Sequence, residues 1–182
     1  MSDPRPSPHP LSPDDLARRA RAIEWLLLDV DGVMTDGRLH YTAAGEEVKV
    51  FHVRDGYGIK WARRAGLKVG ILSGRESGAL ARRAADLEVD ALIQGRDDKG
   101  PAFDGFLAAQ ATTPDRVAYV GDDVLDLPVI ERVALSFAPA DAVPAVRRRV
   151  DRVLAAAGGA GAVREAVELL LAARGEEETC AR

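Results

Sequence analysis

The stretch LLLDVDGVMTDG, residues 26–37, begins as a wholly apolar strand and ends in acid. Leu26, Leu27 and Leu28 are apolar at consecutive positions, so both faces of the strand are covered. That pattern belongs to a parallel sheet buried between helices rather than to a half-exposed antiparallel one. Asp29, Asp31 and, after a glycine turn, Asp36 follow directly. Two carboxylates one residue apart repel each other. A chain that places them at the mouth of its most hydrophobic strand needs a cation or a proton to offset the repulsion.

Upstream, Ser12-Pro13-Asp14-Asp15 reads as a helix start, with Ser12 as N-cap, proline in the first turn and acids near the positive dipole end. A short helix over residues 16–23 follows. Downstream, RLHYT, AAGE and EVKVFHV suggest a β-hairpin, two alternating runs about a glycine turn. From there strand and helix alternate. GYGIKWARRAG is a helix ended by Gly66, LKVGILS a strand, ESGALARRAADL a helix, VDALIQG a strand and GPAFDGFLAAQ a helix. RVAYVGDD is a strand, VLDLPVIERV a short helix and ALSFA a strand. A basic helix follows Pro144, then a short strand near residues 152–154, and AVREAVELLLAAR closes the chain as a helix. The pattern predicts an α/β fold, a parallel sheet covered by helices on both faces.

Bulk composition narrows the function classes. The chain has 182 residues, which favours one domain, and its 47% hydrophobic content suffices for a sizeable core. The net charge of −4 comes with scattered basic residues, against the basic patch that nucleic-acid binding requires. The one cysteine, Cys180, excludes an intramolecular disulfide and a cysteine metal site, and fits a reducing cytoplasm. No apolar run approaches the ~20 residues of a membrane span. The Pro-rich N-terminus lacks the apolar core of a secretory signal. Residues 1–11 are expected to form a disordered arm, and residues 175–182 a flexible tail. No GxxxxGK[ST] loop occurs, so an ATPase is unsupported.

Ligands of parallel sheets bind beyond the carboxyl ends of the strands. Four such ends carry polar residues: Asp29 and Asp31; Ser73-Gly74-Arg75; Asp97, Asp98 and Lys99; and Gly121-Asp122-Asp123, with Asp126 a turn later. Every candidate ligand is an oxygen, which selects a hard cation such as Mg²⁺. Asp29, Asp122 and one backbone carbonyl suit such an ion. Lys99 and the Ser73 hydroxyl add a cation and a donor, which together suit a phosphate. Ser73 is equally suited to capping the helix that follows. Asp29 is the candidate nucleophile, and Asp31 the candidate acid and base for the leaving group and for water. Asp123 and Asp126 are orienting groups around the ligands. Arg75 and Arg83, eight apart, fall two turns apart on one helix face, as a surface stripe or as a clamp for a distal carboxylate. Arg147, Arg148 and Arg149 read as a solvated helix face.

Asp29-x-Asp31-Gly32-Val33, Ser73, Lys99 and GDDVLD resemble, in order, the four motifs of the haloacid dehalogenase (HAD) superfamily of phosphatases. Within it, DVDGVMTDG, FHVRDGYGIK, ILSGR, YVGDDVLDLPVI and GAVREAVELLL resemble the 3-deoxy-D-manno-octulosonate 8-phosphate phosphatase family, over roughly residues 20–172. The resemblance implies a Rossmann-like HAD core over residues 12–174 with a hairpin insertion at 38–53 and no large cap domain. It also implies a homotetramer in which the hairpin lines the interface. It implies Mg²⁺ held by Asp29, Asp122 and the main chain of Asp31. It implies substrate contacts from Asp31, His52, Val53, Arg54, Asp55, Gly56, Lys60, Arg75, Arg83 and Lys99. The implied reaction releases the free eight-carbon sugar acid for lipopolysaccharide synthesis.

Two positions depart from the family pattern. Ala160 stands where an arginine is common in GGxGAVRE, and Lys60 also replaces a common arginine. Arginine binds a carboxylate through two parallel bonds, which neither lysine nor alanine does. A nine-carbon, sialic-type sugar acid 9-phosphate is therefore the alternative substrate. Outside the enzyme class, the alternatives are a receiver-like signalling domain and a catalytically silent scaffold. In a receiver the phosphorylated aspartate ends a middle strand, and a following Asp31 would speed loss of the signal.

Overall fold

A computed structural model describes residues 11–176. The expected arm lies almost wholly outside this range, as does most of the tail. Leu11 already packs against the core. The elements are α1 (Pro13–Ala22), β1 (Trp25–Leu28), β2 (His40–Tyr41), β3 (Glu47–Val48), α2 (Val53–Arg64), β4 (Lys68–Leu72), α3 (Gly78–Leu87) and β5 (Ala91–Ile93). They continue through α4 (Lys99–Gln110), β6 (Val117–Val120), α5 (Leu127–Ile130), β7 (Leu135–Ala138), α6 (Pro144–Arg147), β8 (Arg152–Val153) and α7 (Ala162–Ala172).

Six strands form one parallel sheet in the order β5-β4-β1-β6-β7-β8. The acid-tipped strand β1 is therefore central. The chain leaves it toward β4 on one side and returns to β6 on the other, which opens a crevice at the carboxyl ends. The pleat sends alternate residues to opposite faces. Leu26, Leu28, Val69, Ile71, Ala118, Val120, Leu135 and Phe137 share one buried cluster with residues of α1, α2, α3 and α7. Trp25, Leu27, Leu72, Val117 and Tyr119 join Phe103 and Phe106 of α4 and Val129 and Ile130 of α5 on the other face. Trp25 meets Phe106 edge-on at 5.0 Å. Both faces are thus covered, as the unbroken leucine run requires.

Several local readings are corrected. The hairpin is real, but its ladder is only His40–Tyr41 against Glu47–Val48. The expected run through Val53 stops early because His52 starts a helix: its ring Nδ1 accepts the Arg54 amide at 3.1 Å, and α2 begins at Val53 rather than Gly56. The strand read from VDALIQG shrinks to Ala91–Ile93, and the basic helix after Pro144 is a single turn. The α3 cap is Ser77, whose hydroxyl accepts the Leu80 amide at 3.3 Å; Ser73 does not cap that helix. Arg75 precedes α3, so it and Arg83 do not share a helix face.

Candidate active site

Hydrogen-bonded register carries β1 straight into the site. The Asp29 amide still donates to the Val120 carbonyl at 3.0 Å, so its side chain leaves the sheet where the ladder ends. Its carboxylate is buried and lies 2.7 Å from Lys99 Nζ. Lys99 is the first residue of α4 and only 3% exposed. Its ammonium also reaches Asp126 Oδ1 at 2.6 Å and the Tyr119 hydroxyl oxygen at 3.3 Å. A lysine buried this far needs such partners to offset lost hydration. Burial alone would pull its pKa down; the Asp29 and Asp126 charges more than offset that and hold it above the usual value.

Asp126 is wholly buried and saturated. Its Oδ2 accepts the amides of Asp122 at 2.8 Å and Asp123 at 3.1 Å, and its Oδ1 accepts the Tyr119 hydroxyl at 2.6 Å as well as Lys99. It folds the GDDVLD turn and aims Lys99. The Asp123 carboxylate accepts the Val124 amide at 2.6 Å, completing a reciprocal cap with Asp126. Burial first, then the Asp126 and Asp29 charges, push the Tyr119 phenol well above its ordinary pKa, so it stays a donor.

Carboxylate oxygens of Asp29, Asp122 and Asp126 lie within 4.8 Å of one another. Burial, followed by repulsion from Asp126, raises Asp29 to about 6. Burial, followed by the Asp29 and Asp126 charges, raises Asp122 to about 8. Asp122 Oδ1 is buried with no hydrogen-bond partner. An all-oxygen cluster with an orphaned carboxylate oxygen and suppressed ionisation is what a divalent cation would relieve. With Asp126 fully engaged, Asp29 and Asp122 are the carboxylates free to hold it. Gly32 lets the Asp122 carboxylate lie close against the β1 turn: its φ is +92°, and a Cβ there would collide with that carboxylate.

The Asp31 side chain faces a different environment. It is ion-paired with Lys49 of the hairpin, and Arg75 Nε lies 3.8 Å from its Oδ2. Arg75 also donates to the Tyr41 hydroxyl at 3.0 Å and to Glu47 at 3.1 Å. Ser73 is buried directly beyond β4, next to β1, where its hydroxyl accepts the Arg75 amide at 3.3 Å.

The remaining expected contacts are dispersed. Asp55 is buried and caps α7, accepting the Arg164 amide at 2.8 Å, which ties α2 to α7 instead of facing the strand ends. His52 spends its ring nitrogen on the α2 cap, and Val53 and Arg54 are exposed at the same helix start. Arg83 lies against Gly56 and over the Phe51 ring, with its Nε buried and unpartnered. Lys60 sits with Arg63, Arg64, Lys68, Glu88 and Asp90 around a cavity at the amino end of β4, at the opposite end of the sheet from Asp29 and Asp122. Four participants escaped sequence reasoning: Tyr41, Glu47, Lys49 and Tyr119. The signal for the hairpin residues was the alternation in EVKV, which turns Glu47 and Lys49 inward and leaves Val48 and Val50 outside.

With this geometry established, comparison with known proteins is decisive. The chain is 47% identical over 150 residues to 3-deoxy-D-manno-octulosonate 8-phosphate phosphatase of Escherichia coli K12, covering 82% of this chain and 79% of the relative. The chain belongs to the 3-deoxy-D-manno-octulosonate 8-phosphate phosphatase family. Among solved structures, the phosphatase of that name from Yersinia pestis is 44% identical, with a TM-score of 0.87 over 90% of this chain and 88% of its own. The Moraxella catarrhalis phosphatase, solved with magnesium, phosphate and KDO, is 34% identical, with a TM-score of 0.85 over 88% and 92% of the two chains. These likenesses place the fold in the HAD superfamily, which bears out the expected core. No family model matches the chain.

Proposed function

We propose that the protein hydrolyses 3-deoxy-D-manno-octulosonate 8-phosphate to the free sugar acid and phosphate, serving lipopolysaccharide synthesis. The observation that carries this reading is the pairing of Asp29 with buried Lys99 at 2.7 Å beside the orphaned oxygen of Asp122. A carboxylate at the tip of the central strand, flanked by a cation and by a second carboxylate with an unpartnered oxygen, suits attack on phosphorus. The substrate identity is supported by the relatives' names.

Asp29 forms a bond to phosphorus while the bond to the C8 oxygen of the sugar breaks. Asp31 enters this step protonated, gives that oxygen its proton and is left as the carboxylate that Lys49 holds. Water then attacks the aspartyl phosphate and passes a proton to the Asp31 carboxylate, and the bond between Asp29 and phosphorus breaks to release phosphate. Lys99 holds Asp29 in line and offsets charge on the phosphoryl oxygens. Ser73, buried beside β1, adds a donor. A divalent ion, Mg²⁺ in this reading, would be held by Asp29, Asp122 and the main chain of Asp31, and supplies charge neutralisation for the phosphoryl group. We assign Arg75, and as the resemblance implies Arg83, to the sugar acid's distal carboxylate.

The assembly we infer is a homotetramer joined through the hairpin. Val48 and Val50, 45% and 66% exposed, form an outward apolar face that a second copy would cover. The lone cysteine supports a cytoplasmic setting. Among the described residues no helix is long and apolar enough to cross a membrane. The test is a panel of eight- and nine-carbon sugar-acid phosphates compared by kcat/KM. The eight-carbon 8-phosphate should lead; a nine-carbon 9-phosphate leading would transfer the assignment to that acid, in line with Ala160.

A further inference from the structure

The Lys49 side chain is only 4% exposed, in a hairpin whose residues 38–46 are all exposed. Its ammonium contacts two carboxylates, Asp31 and, at 3.5 Å, Glu47. Glu47 in turn takes Arg75 at 3.1 Å and the hydroxyl of Ser77. Arg75 closes the circuit at Asp31. Asp31, Lys49, Glu47 and Arg75 thus form a ring of alternating charge that joins the hairpin, the end of β1 and the loop before α3. A lysine this buried is costly without its partners, so the hairpin seats on the crevice only with Lys49 against Asp31. Two lysine side chains divide the crevice between them: Lys99 holds Asp29, and Lys49 holds Asp31.

We propose that Lys49 is a positioning residue for the leaving-group half of the reaction, setting the Asp31 carboxyl against the departing oxygen through the seated hairpin. This rests on the acid role given to Asp31 above. The group that touches the departing oxygen is one contact from Lys49, whereas the nucleophile and its lysine belong to the opposite side of the site. Loss of Lys49 therefore harms the departure of poor leaving groups more than that of good ones. Glu47 completes the effect by keeping Lys49 and Arg75 from turning to solvent.

The experiment measures kcat/KM for phenyl phosphates of graded leaving-group acidity, which differ little in size and lack the sugar. It compares wild type, Lys49→Met, Lys49→Arg and Asp31→Asn. A p-nitrophenolate needs little protonation, whereas a phenolate or alkoxide leans on the acid, whose help is worth ~10²–10⁴-fold at full strength. Lys49→Met should lose about tenfold more on phenyl phosphate than on p-nitrophenyl phosphate, as part of that help. Asp31→Asn should show the same sign more strongly, and Lys49→Arg should recover most of the ratio. Parallel losses across the series for Lys49→Met, with a graded loss for Asp31→Asn, would overturn the role of Lys49 alone. Parallel losses for Asp31→Asn would instead remove the acid role of Asp31, and this inference with it. Should Lys49→Met fail to fold by circular dichroism, Lys49→Gln gives the same comparison with a neutral donor of similar length.

Discussion

Replacing Asp126 by asparagine should unfold the protein more readily, although Asp126 touches no substrate in the proposed reaction. Its carboxylate accepts four donors: two backbone amides, the Tyr119 hydroxyl and the Lys99 ammonium. An asparagine has the same shape but one acceptor oxygen. Whichever way it turns, its NH₂ group faces two of those donors. A buried donor left unmatched costs about 1–3 kcal/mol, and breaking a buried ion pair costs about 3–5 kcal/mol. The two penalties overlap at one site and do not add fully. The expected loss is therefore about 3–5 kcal/mol, or roughly 6–20 °C in melting temperature for a domain of this size. Urea unfolding followed by circular dichroism measures it, in EDTA, because a bound ion would stabilise the native state by mass action. Tyr119→Phe, which removes one of the four bonds, should lose only about 0.5–1.5 kcal/mol. A loss below about 1 kcal/mol for Asp126→Asn would show that the network is not saturated as described.

The raised values near 6 for Asp29 and near 8 for Asp122 give the metal-free fold a definite pH dependence. A carboxylate whose folded pKa lies above its unfolded value stabilises the fold at low pH, and that contribution fades as pH rises through the folded value. Measured against Asp122→Asn, the wild-type urea midpoint in EDTA should fall between pH 5 and pH 8, and added Mg²⁺ should reverse the fall with release of protons; a flat difference would contradict the cluster. Gly32→Ala forces a side chain into the Asp122 carboxylate at a positive φ, so Mg²⁺ affinity by calorimetry should weaken at least about tenfold, with ~1–2 kcal/mol of backbone strain. Unaltered affinity would separate Gly32 from the ion site. Val48→Asp with Val50→Asp should reduce the mass seen by light scattering from that of a tetramer, whereas an unchanged tetramer would clear the hairpin of any interface role.

What the sequence revealed divides along a physical line. The leucine run and the acids after it depend on a two-residue period and on chain order, both of which survive without knowledge of packing. GDDVLD was legible for the same reason, since it lies immediately beyond an apolar strand, and Lys99 because it follows the end of another across a short acidic loop. Caps were harder: Ser73 and Ser77 are both plausible before α3, and only the completed turn selects Ser77. Asp55 was named only as a substrate contact that the resemblance implies; its place as the cap of α7 was not legible, because its partner Arg164 is 109 residues away. The alternation in EVKV turns Glu47 and Lys49 to one side, but that this side meets Asp31 follows from how the hairpin folds over β1, which the alternation does not encode. Lys60 shows the converse: a position carried over from relatives lands, in this subunit, at the other end of the sheet.

The central claim is that Asp29 becomes bonded to phosphorus. Rapid mixing with the sugar-acid phosphate, followed by borohydride, reduces an aspartyl phosphate to homoserine, which mass spectrometry assigns to a residue. Homoserine is expected at position 29 in wild type, with no turnover by a folded Asp29→Asn protein; wild-type rates from that variant, or trapping at another carboxylate, would refute Asp29 as the nucleophile.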